Sequence, residues 1–264
     1  MREDKVGLLP KVVAVLVFIF LMAPLVVIIL ASFSPTSLVV FPPKGFSLEW
    51  YRNIFGSSAN FLSGFVNSIQ VAAIATAADI LLGVTASLSV SRYQFRGRDA
   101  LVAFFTSPMY VPSITFAFVL LQVFSAMGSI PAFWRILLGH VVIVLPYIVR
   151  NTLAVLASFN WTLEDAAAGL GANPVQVFFK VTLPIIKPGV IAGALLSFLY
   201  SFDEAVLSSL LSSPKFITLP IRIMNYMELS FDPTLAAIST LLILFSLTSI
   251  VLLERFVGLD MFVK

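Results

Sequence analysis

Long apolar runs separated by shorter polar segments dominate the chain. Six runs predict bilayer-spanning helices, because crossing a hydrocarbon core of about 30 Å takes about 20 apolar residues. The predicted spans cover residues 12–31, 65–90, 100–124, 136–156, 190–211 and 235–253. Pro108 and Pro112 in span three and Pro146 in span four predict kinks, since neighbouring helices can satisfy the freed backbone groups. The pattern therefore predicts an all-α membrane protein with six transmembrane helices in one domain, residues 1–264.

Composition agrees with this pattern. Hydrophobic residues make up 59% of the chain and charged residues 11%, and the mean hydropathy is +1.04. Such a chain cannot present a water-soluble surface, so a polytopic membrane protein is expected. The first apolar run is longer than a signal-peptide core and no small-residue cleavage site follows it, so we expect it to remain as an anchor. The absence of cysteine excludes disulfides and thiolate metal sites.

Basic residues predict the orientation, because Lys and Arg are retained on the cytoplasmic side. With the N-terminus inside, the cytoplasmic segments hold Arg2, Lys5, Lys11, Arg92, Arg96, Arg98, Lys180, Lys187, Arg255 and Lys264. The outer segments hold only Lys44, Arg52, Arg135, Lys215 and Arg222. Both termini and the polar segment 158–187 are therefore expected in the cytoplasm. The positive charge is spread over loops rather than gathered on one face, which argues against binding to nucleic acid.

The polar segment between spans four and five predicts two short helices. In the first, Thr162 and Asp165 have the spacing of a capping box, and Gly169 and Gly171 are expected to end the helix. Its apolar face comprises Leu163, Ala166, Ala167 and Leu170. The second is predicted to begin at Asn173-Pro174 and to stop at Leu183-Pro184, with an apolar stripe of Val177, Phe178 and Val181. Apolar residues projecting from a membrane in this way usually pack against another protein.

This segment resembles the EAA loop of permease subunits in binding-protein-dependent ABC importers. The matching residues are Asp165-Ala166-Ala167, Gly171, Val181 and Leu183-Pro184, at the spacing of that motif. Asp165 and Val181 replace the usual Glu and Ile, and Glu164 could contribute the longer acid. Three further segments are similar to the polyamine-type branch: Phe46-Ser-Leu-Glu-Trp50-Tyr51, Tyr93-x-Phe95-Arg96-Gly97 and Ser201-Phe-Asp-Glu204.

The resemblance implies a type I importer permease in the inner membrane, powered by a separate subunit. The chain has no G-x-x-x-x-G-K-[ST] sequence, so ATP and Mg are expected on a dimeric ATP-binding partner. Residues 158–187 would contain the coupling helix that contacts the partner, with Glu164 among the coupling residues. A solute-binding protein would dock on residues 33–61 and 212–234, and a second, different permease would complete a heterodimer.

Ionisable residues inside spans are candidates for a solute pathway, because a charge at the bilayer centre is costly. Asp203 and Glu204 lie in span five and Asp79 in span two, and Tyr200 could stack on an organic cation. These carboxylates could instead pair with neighbouring helices. His140 is expected to be an interhelical hydrogen-bonding residue, and Arg150 to extend its head to the interface.

Two other classes of function fit less well. A secondary transporter would commonly show an inverted repeat and would not need the capped insert. An intramembrane enzyme would need a nucleophile with its base or a metal pair, and the sequence predicts neither a catalytic residue nor a metal site. The favoured solute is a polyamine or a related organic cation or amino-acid derivative. Ferric iron, opines and aminophosphonates remain alternatives.

Overall fold

The computed structural model describes the backbone of residues 7–37, 41–56 and 59–257, and side chains as far as residue 252. Arg2, Lys5, Arg255 and Lys264 therefore lie outside the described side chains. The helices are α1 (Leu8–Ala31), α2 (Glu49–Gly56), α3 (Phe61–Arg92), α4 (Arg98–Thr106), α5 (Ser113–Ala126), α6 (Ala132–Leu156), α7 (Thr162–Gly169), α8 (Pro174–Val177), α9 (Leu183–Asp203), α10 (Val206–Leu211), α11 (Leu219–Leu229) and α12 (Thr234–Val257). Within these residues the only β structure is an isolated bridge between Ser213 and Phe216.

The predicted number of spans agrees with the structure when one bent helix pair is counted as a single span. Among the described residues, five helices are long and apolar enough to cross a membrane: α1, α3, α6, the run Pro174–Asp203 and Thr234–Leu252 of α12. The pair formed by Arg98–Tyr110 and Ser113–Ala126 supplies the sixth.

Span three is broken more sharply than the predicted kink. A 3-10 turn, Ser107–Tyr110, follows α4, and α5 then leaves at an angle of 103°. Pro112 explains the break because a proline forces the preceding residue out of the helical region. Val111 accordingly has an extended backbone, with φ −91° and ψ 128°. Pro146, in contrast, lies inside the continuous helix α6.

The predicted stop at Leu183-Pro184 is wrong. A π-turn, Phe178–Thr182, joins α8 to α9, so that one helical run extends from Pro174 to Asp203. The Leu183 N–H bonds to the Phe178 carbonyl five residues earlier. Pro184 follows this wider turn as the second residue of α9, and the helical run continues through it.

The C-terminal end of span five also differs from the prediction. The span was expected to continue to Leu211, but α9 ends at Asp203 and α10 begins at Val206. Glu204 has an extended ψ of 104°, which interrupts the helical path. Span five is therefore a discontinuous helix whose break carries two of the predicted pathway carboxylates.

The described residues fall into two compact units, one within residues 63–222 with 247–264 and the other within 1–62 with 223–246. In the first unit, α9 packs closely on α6 through Gly189, Gly193, Ser197 and Ser201, which recur every fourth residue. A Cβ on Gly189 would lie 2.6 Å from the Asn151 carbonyl oxygen. Only small residues permit this approach, as is usual between membrane helices.

The second unit contains α1 and polar contacts between α2 and the region around α11. In α1, large apolar side chains are exposed over most of the helix, as expected for a helix surrounded by lipid. The Trp50 indole N–H donates to the Ser34 carbonyl at 2.7 Å. Asn53 donates to the Thr234 hydroxyl at 2.9 Å, and Tyr226 donates to Asp232 at 2.7 Å. The first of these contacts is buried and the other two are partly buried, and together they hold the connecting segments against the helices.

Candidate functional site

The first predicted loop helix, α7, begins with a different cap from the one expected. The predicted Thr162–Asp165 capping box is wrong. Thr162 is the first residue of α7, and Trp161, which precedes it, already has helical dihedral angles. Asn160 provides the cap instead: its side-chain oxygen accepts from the Thr162 N–H at 3.1 Å and from the Thr162 hydroxyl at 2.8 Å. Asp165 is thus left exposed to solvent.

The end of α7 is a Schellman turn built on Gly171. The Ala172 N–H bonds to the Ala167 carbonyl and the Gly171 N–H to the Ala168 carbonyl. Gly171 has a φ of +89°, which glycine adopts without strain. Leu170 precedes it with 91% of its surface exposed. The glycine therefore ends the helix as predicted and leaves a large apolar side chain at its tip.

Glu164 fixes α7 to the rest of the unit. Its carboxylate is buried and lies 2.6 Å from the guanidinium of Arg92, the last residue of α3. The Thr182 hydroxyl in the π-turn donates to the other carboxylate oxygen. The Arg92 guanidinium also lies over the Trp161 ring, 5.6 Å from its centroid, within the range of a cation–π contact. One carboxylate thus joins α7 to α3 and to the start of α9.

The predicted coupling residues lie in two groups. Asp165, Ala166 and Gly171 are exposed on α7 and its C-terminal turn, and Ala167 is half-buried. Val181 and Leu183 are half-buried and Pro184 is exposed at the start of α9. Of these residues, only Asp165 lines a cleft of about 260 Å³, whose walls also include Arg92, Trp161, Glu164, Ala172 and Thr182. Sequence reasoning gave no role to Arg92, Trp161 or Thr182, because no local spacing links them to Glu164.

The pathway candidates cluster at the break of span five. Tyr200 is 37% exposed and its ring centroid lies 5.3 Å from that of Tyr147. The two tyrosines line a cavity of about 200 Å³ beside the broken span three. Asp203 is exposed, whereas Glu204 is buried and accepts the Leu207 N–H at 2.9 Å, which caps α10. Three of the four predicted residues therefore lie at one end of α9.

The remaining intramembrane polar residues have different environments. Asp79, on α3, is fully buried, and neither carboxylate oxygen has a hydrogen-bond partner in the described part of the chain.

His140 forms interhelical hydrogen bonds, as predicted, with contacts to Ser201 and Ser208. Arg150 is exposed in the C-terminal half of α6, near the sulfur of Met109. Among the described residues, no group of three or more His, Cys, Asp or Glu side chains could hold a metal ion.

A comparison with protein families decides the class of this protein. The profile described as "Binding-protein-dependent transport system inner membrane component" matches residues 79–259, well over half of the chain. The chain belongs to this family. It is thus a multi-pass inner-membrane permease subunit of an ABC importer, and a transport subunit rather than an enzyme. The matched range contains α7, the π-turn and the break of span five.

Relatives of this permease support the same class over nearly its full length. The spermidine/putrescine permease PotC of Haemophilus influenzae is 32% identical over 236 residues, which is 89% of this chain and 91% of PotC. The putrescine permease PotI of Escherichia coli K12 is 32% identical over 239 residues, 88% of this chain and 84% of PotI. The trehalose permease SugB of Mycobacterium tuberculosis is 30% identical over 211 residues, 78% of this chain and 77% of SugB.

Solved structures share the fold of this permease. A bacterial ABC transporter that imports alginate has a TM-score of 0.67 and 19% identity, covering 98% of each chain. The MetNI methionine ABC transporter has a TM-score of 0.62 and 16% identity, covering 75% of this chain and 94% of the other. At these identities the likeness concerns the fold alone, which is that of type I ABC transporter permeases.

Proposed function

We propose that α7 and its C-terminal turn are the surface through which a separate, dimeric ATPase drives this permease. The observation that carries the proposal is the fully projecting Leu170 at the end of a helix fixed from behind by a buried carboxylate. An apolar tip on a fixed helix suits insertion into a cleft of a soluble partner. The coupling residues are Glu164, Asp165, Ala166, Ala167, Gly171, Val181, Leu183 and Pro184, and ATP and Mg bind to the ATPase.

The solute route of the proposal follows the break of span five. Tyr200 and Asp203 are the accessible groups there, and Glu204 adds a second carboxylate one residue further on. Aromatic faces and carboxylates together suit an organic cation. The solutes named for PotC and PotI, spermidine and putrescine, belong to this chemical class. We therefore assign a polyamine or a related amine as the solute, with Asp79 as a further candidate on the route that is enclosed in this conformation.

The assembly of the proposal has four kinds of chain. A solute-binding protein delivers the solute to residues 33–61 and 212–234, and a second, homologous permease forms a heterodimer with this one. The ATPase dimer contacts the cytoplasmic segment 158–187, and both termini lie on the same side. Closure of the ATPase dimer drives the alternating access of the permease pair. It can do so because the ATPase makes different contacts with the permease in the two access states, and only such a difference can shift the equilibrium between them.

Crosslinking tests the coupling surface directly, because the chain contains no native cysteine. Leu170→Cys would carry a thiol-reactive benzophenone in the assembled complex. Leu229→Cys is the matched control, since Leu229 is 86% exposed in a segment predicted on the opposite side. We expect photocrosslinks to the ATPase from position 170 and none from position 229. Failure at 170, in a complex that still contains the ATPase, would refute the assignment.

A further inference from the structure

His140 spans the break in span five. Its Nδ1 atom lies 2.7 Å from the hydroxyl of Ser201, in the last turn of α9. Its Nε2 atom lies 3.0 Å from the hydroxyl of Ser208, in α10. All three side chains are at most 2% exposed. The imidazole on α6 is thus hydrogen-bonded to both halves of the interrupted helix.

The chemistry of the ring suits this bridge. A neutral imidazole has one donor and one acceptor nitrogen, and each serine hydroxyl can take the complementary role. Both nitrogens are therefore satisfied, which leaves neither free to bind a metal. At the break the regular backbone hydrogen bonds of the helix stop, so side chains must define how α10 continues from α9. His140 replaces that missing connection from a neighbouring helix.

The break is also where the accessible carboxylate lies. Asp203 follows Ser201 by two residues and precedes Ser208 by five, so the two bridged serines bracket it. Glu204 is buried and occupied in capping α10, which leaves Asp203 as the exposed acid of the pair. Asp203 is the last residue of α9, so a shift in the last turn of α9, which the Ser201 bond to His140 holds, would turn this carboxylate away from its present direction. An exposed carboxylate inside a span is costly unless it faces a polar route.

We propose that His140 is a positioning residue for transport: by bridging Ser201 and Ser208 it fixes the break of span five and holds the Asp203 carboxylate towards the solute route. This inference rests on the proposed route. His140 itself lies on α6, is fully buried and does not touch the solute.

Three substitutions separate the two hydrogen bonds. His140→Leu keeps the bulk and loses both bonds. His140→Asn places an amide where Nδ1 lies and can keep the bond to Ser201, whereas His140→Gln can reach Ser208 in place of Nε2. We expect the half-saturation concentration for solute uptake to rise at least about fivefold in His140→Leu, the size of effect that a lost buried hydrogen bond produces. The half-saturation concentrations of His140→Asn and His140→Gln should lie between those of the parent and His140→Leu, since each variant keeps one of the two bonds.

A labelling experiment measures the position itself. Asp203→Cys introduces the only thiol of the chain, which has no native cysteine. The rate at which this thiol reacts with a charged maleimide is measured on complexes in nanodiscs, once with His140 intact and once with His140→Leu. Lys215→Cys, exposed after α10, is the control for reagent and assembly. We expect the rate at position 203 to change at least about fivefold and the rate at 215 to stay constant.

The outcomes distinguish the two proposals. If Asp203→Cys does not react even with His140 intact, the route is wrong and this inference falls with it. If it reacts at the same rate with His140 intact and with His140→Leu, and uptake keeps its half-saturation concentration, the route stands but His140 has no positioning role. Lower abundance alone, with both quantities unchanged, also overturns the inference, because it is what a purely structural residue would give.

Discussion

The guanidinium of Arg92 lies 2.6 Å from the carboxylate of Glu164, so that an ion pair joins the end of α3 to α7. Thr182 donates to the same carboxylate from the π-turn that leads into α9. A displacement of α7 would therefore pull on two membrane-spanning helices at once. This connection gives the proposed coupling segment a physical link to the membrane domain.

Removing the cation of this pair should destabilise the unit. In Arg92→Met the Glu164 carboxylate stays buried without its partner. We expect the free energy of unfolding to fall by about 1–3 kcal/mol; the loss is moderated because the Arg92 side chain is half exposed. Thermal unfolding of the purified protein measures the effect. Arg92→Met with Glu164→Gln should recover part of the loss, since no unpaired charge remains. Arg96→Met, in the same exposed segment, is the control. Equal midpoints for Arg92→Met and Arg96→Met would contradict the interpretation.

Close packing of α9 on α6 gives a second prediction. Gly189→Ala would place a Cβ 2.6 Å from the Asn151 carbonyl oxygen, and backbone on both sides must then shift. We expect a loss of about 1–3 kcal/mol, as for other overpacked interiors. Gly169→Ala has no heavy atom within 4 Å of the added Cβ and should be neutral within about 0.5 kcal/mol. The idea fails if the two variants unfold at the same temperature.

Several features of the fold were predictable because they depend on local chemistry. The spans follow from apolar length, and Gly171 and Asn173 act as the expected helix end and cap, the latter with Gln176 in a reciprocal capping box. The continuous run through Pro184 was not predictable, because a π-turn shifts the bonding register without any residue that signals it. The partners of Glu164 were equally hidden, since Arg92 and Thr182 come from elements distant in sequence.

Asp79 yields a prediction from its missing hydrogen-bond partners. A fully buried carboxylate without such partners is costly to desolvate, and Asp79→Asn removes the ionisable group at nearly constant volume. We expect the free energy of unfolding to rise by about 1 kcal/mol or more. Uptake is measured on the same variant. An unchanged or lower unfolding midpoint would contradict the expectation, and lost uptake at normal abundance would assign Asp79 to the solute route.

The orientation can be checked by site-specific labelling in intact cells. The surplus of basic residues predicts that Arg96 and Asn173 face the cytoplasm and that Ser57 and Ser230 face outwards. Ser57 lies outside the described residues, so Ser230 is the better placed of the outer pair. Single cysteines at 96 and 173 should resist an impermeant maleimide until the cells are opened, and cysteine at 230 should react at once. The reverse pattern would invert the topology and place segment 158–187 on the wrong side for an ATPase.

The most direct measurement of coupling compares ATP hydrolysis with solute uptake in reconstituted complexes carrying Gly171→Asp. Gly171 is exposed with a φ of +89°, so an aspartate there both strains the turn beside Leu170 and adds a charge to the docking surface. We expect the permease to insert normally and uptake per ATP hydrolysed to fall at least about tenfold, as a loss of roughly 1.4 kcal/mol in coupling would give. Uptake and hydrolysis at the parent ratio would contradict the role of α7 as the coupling helix.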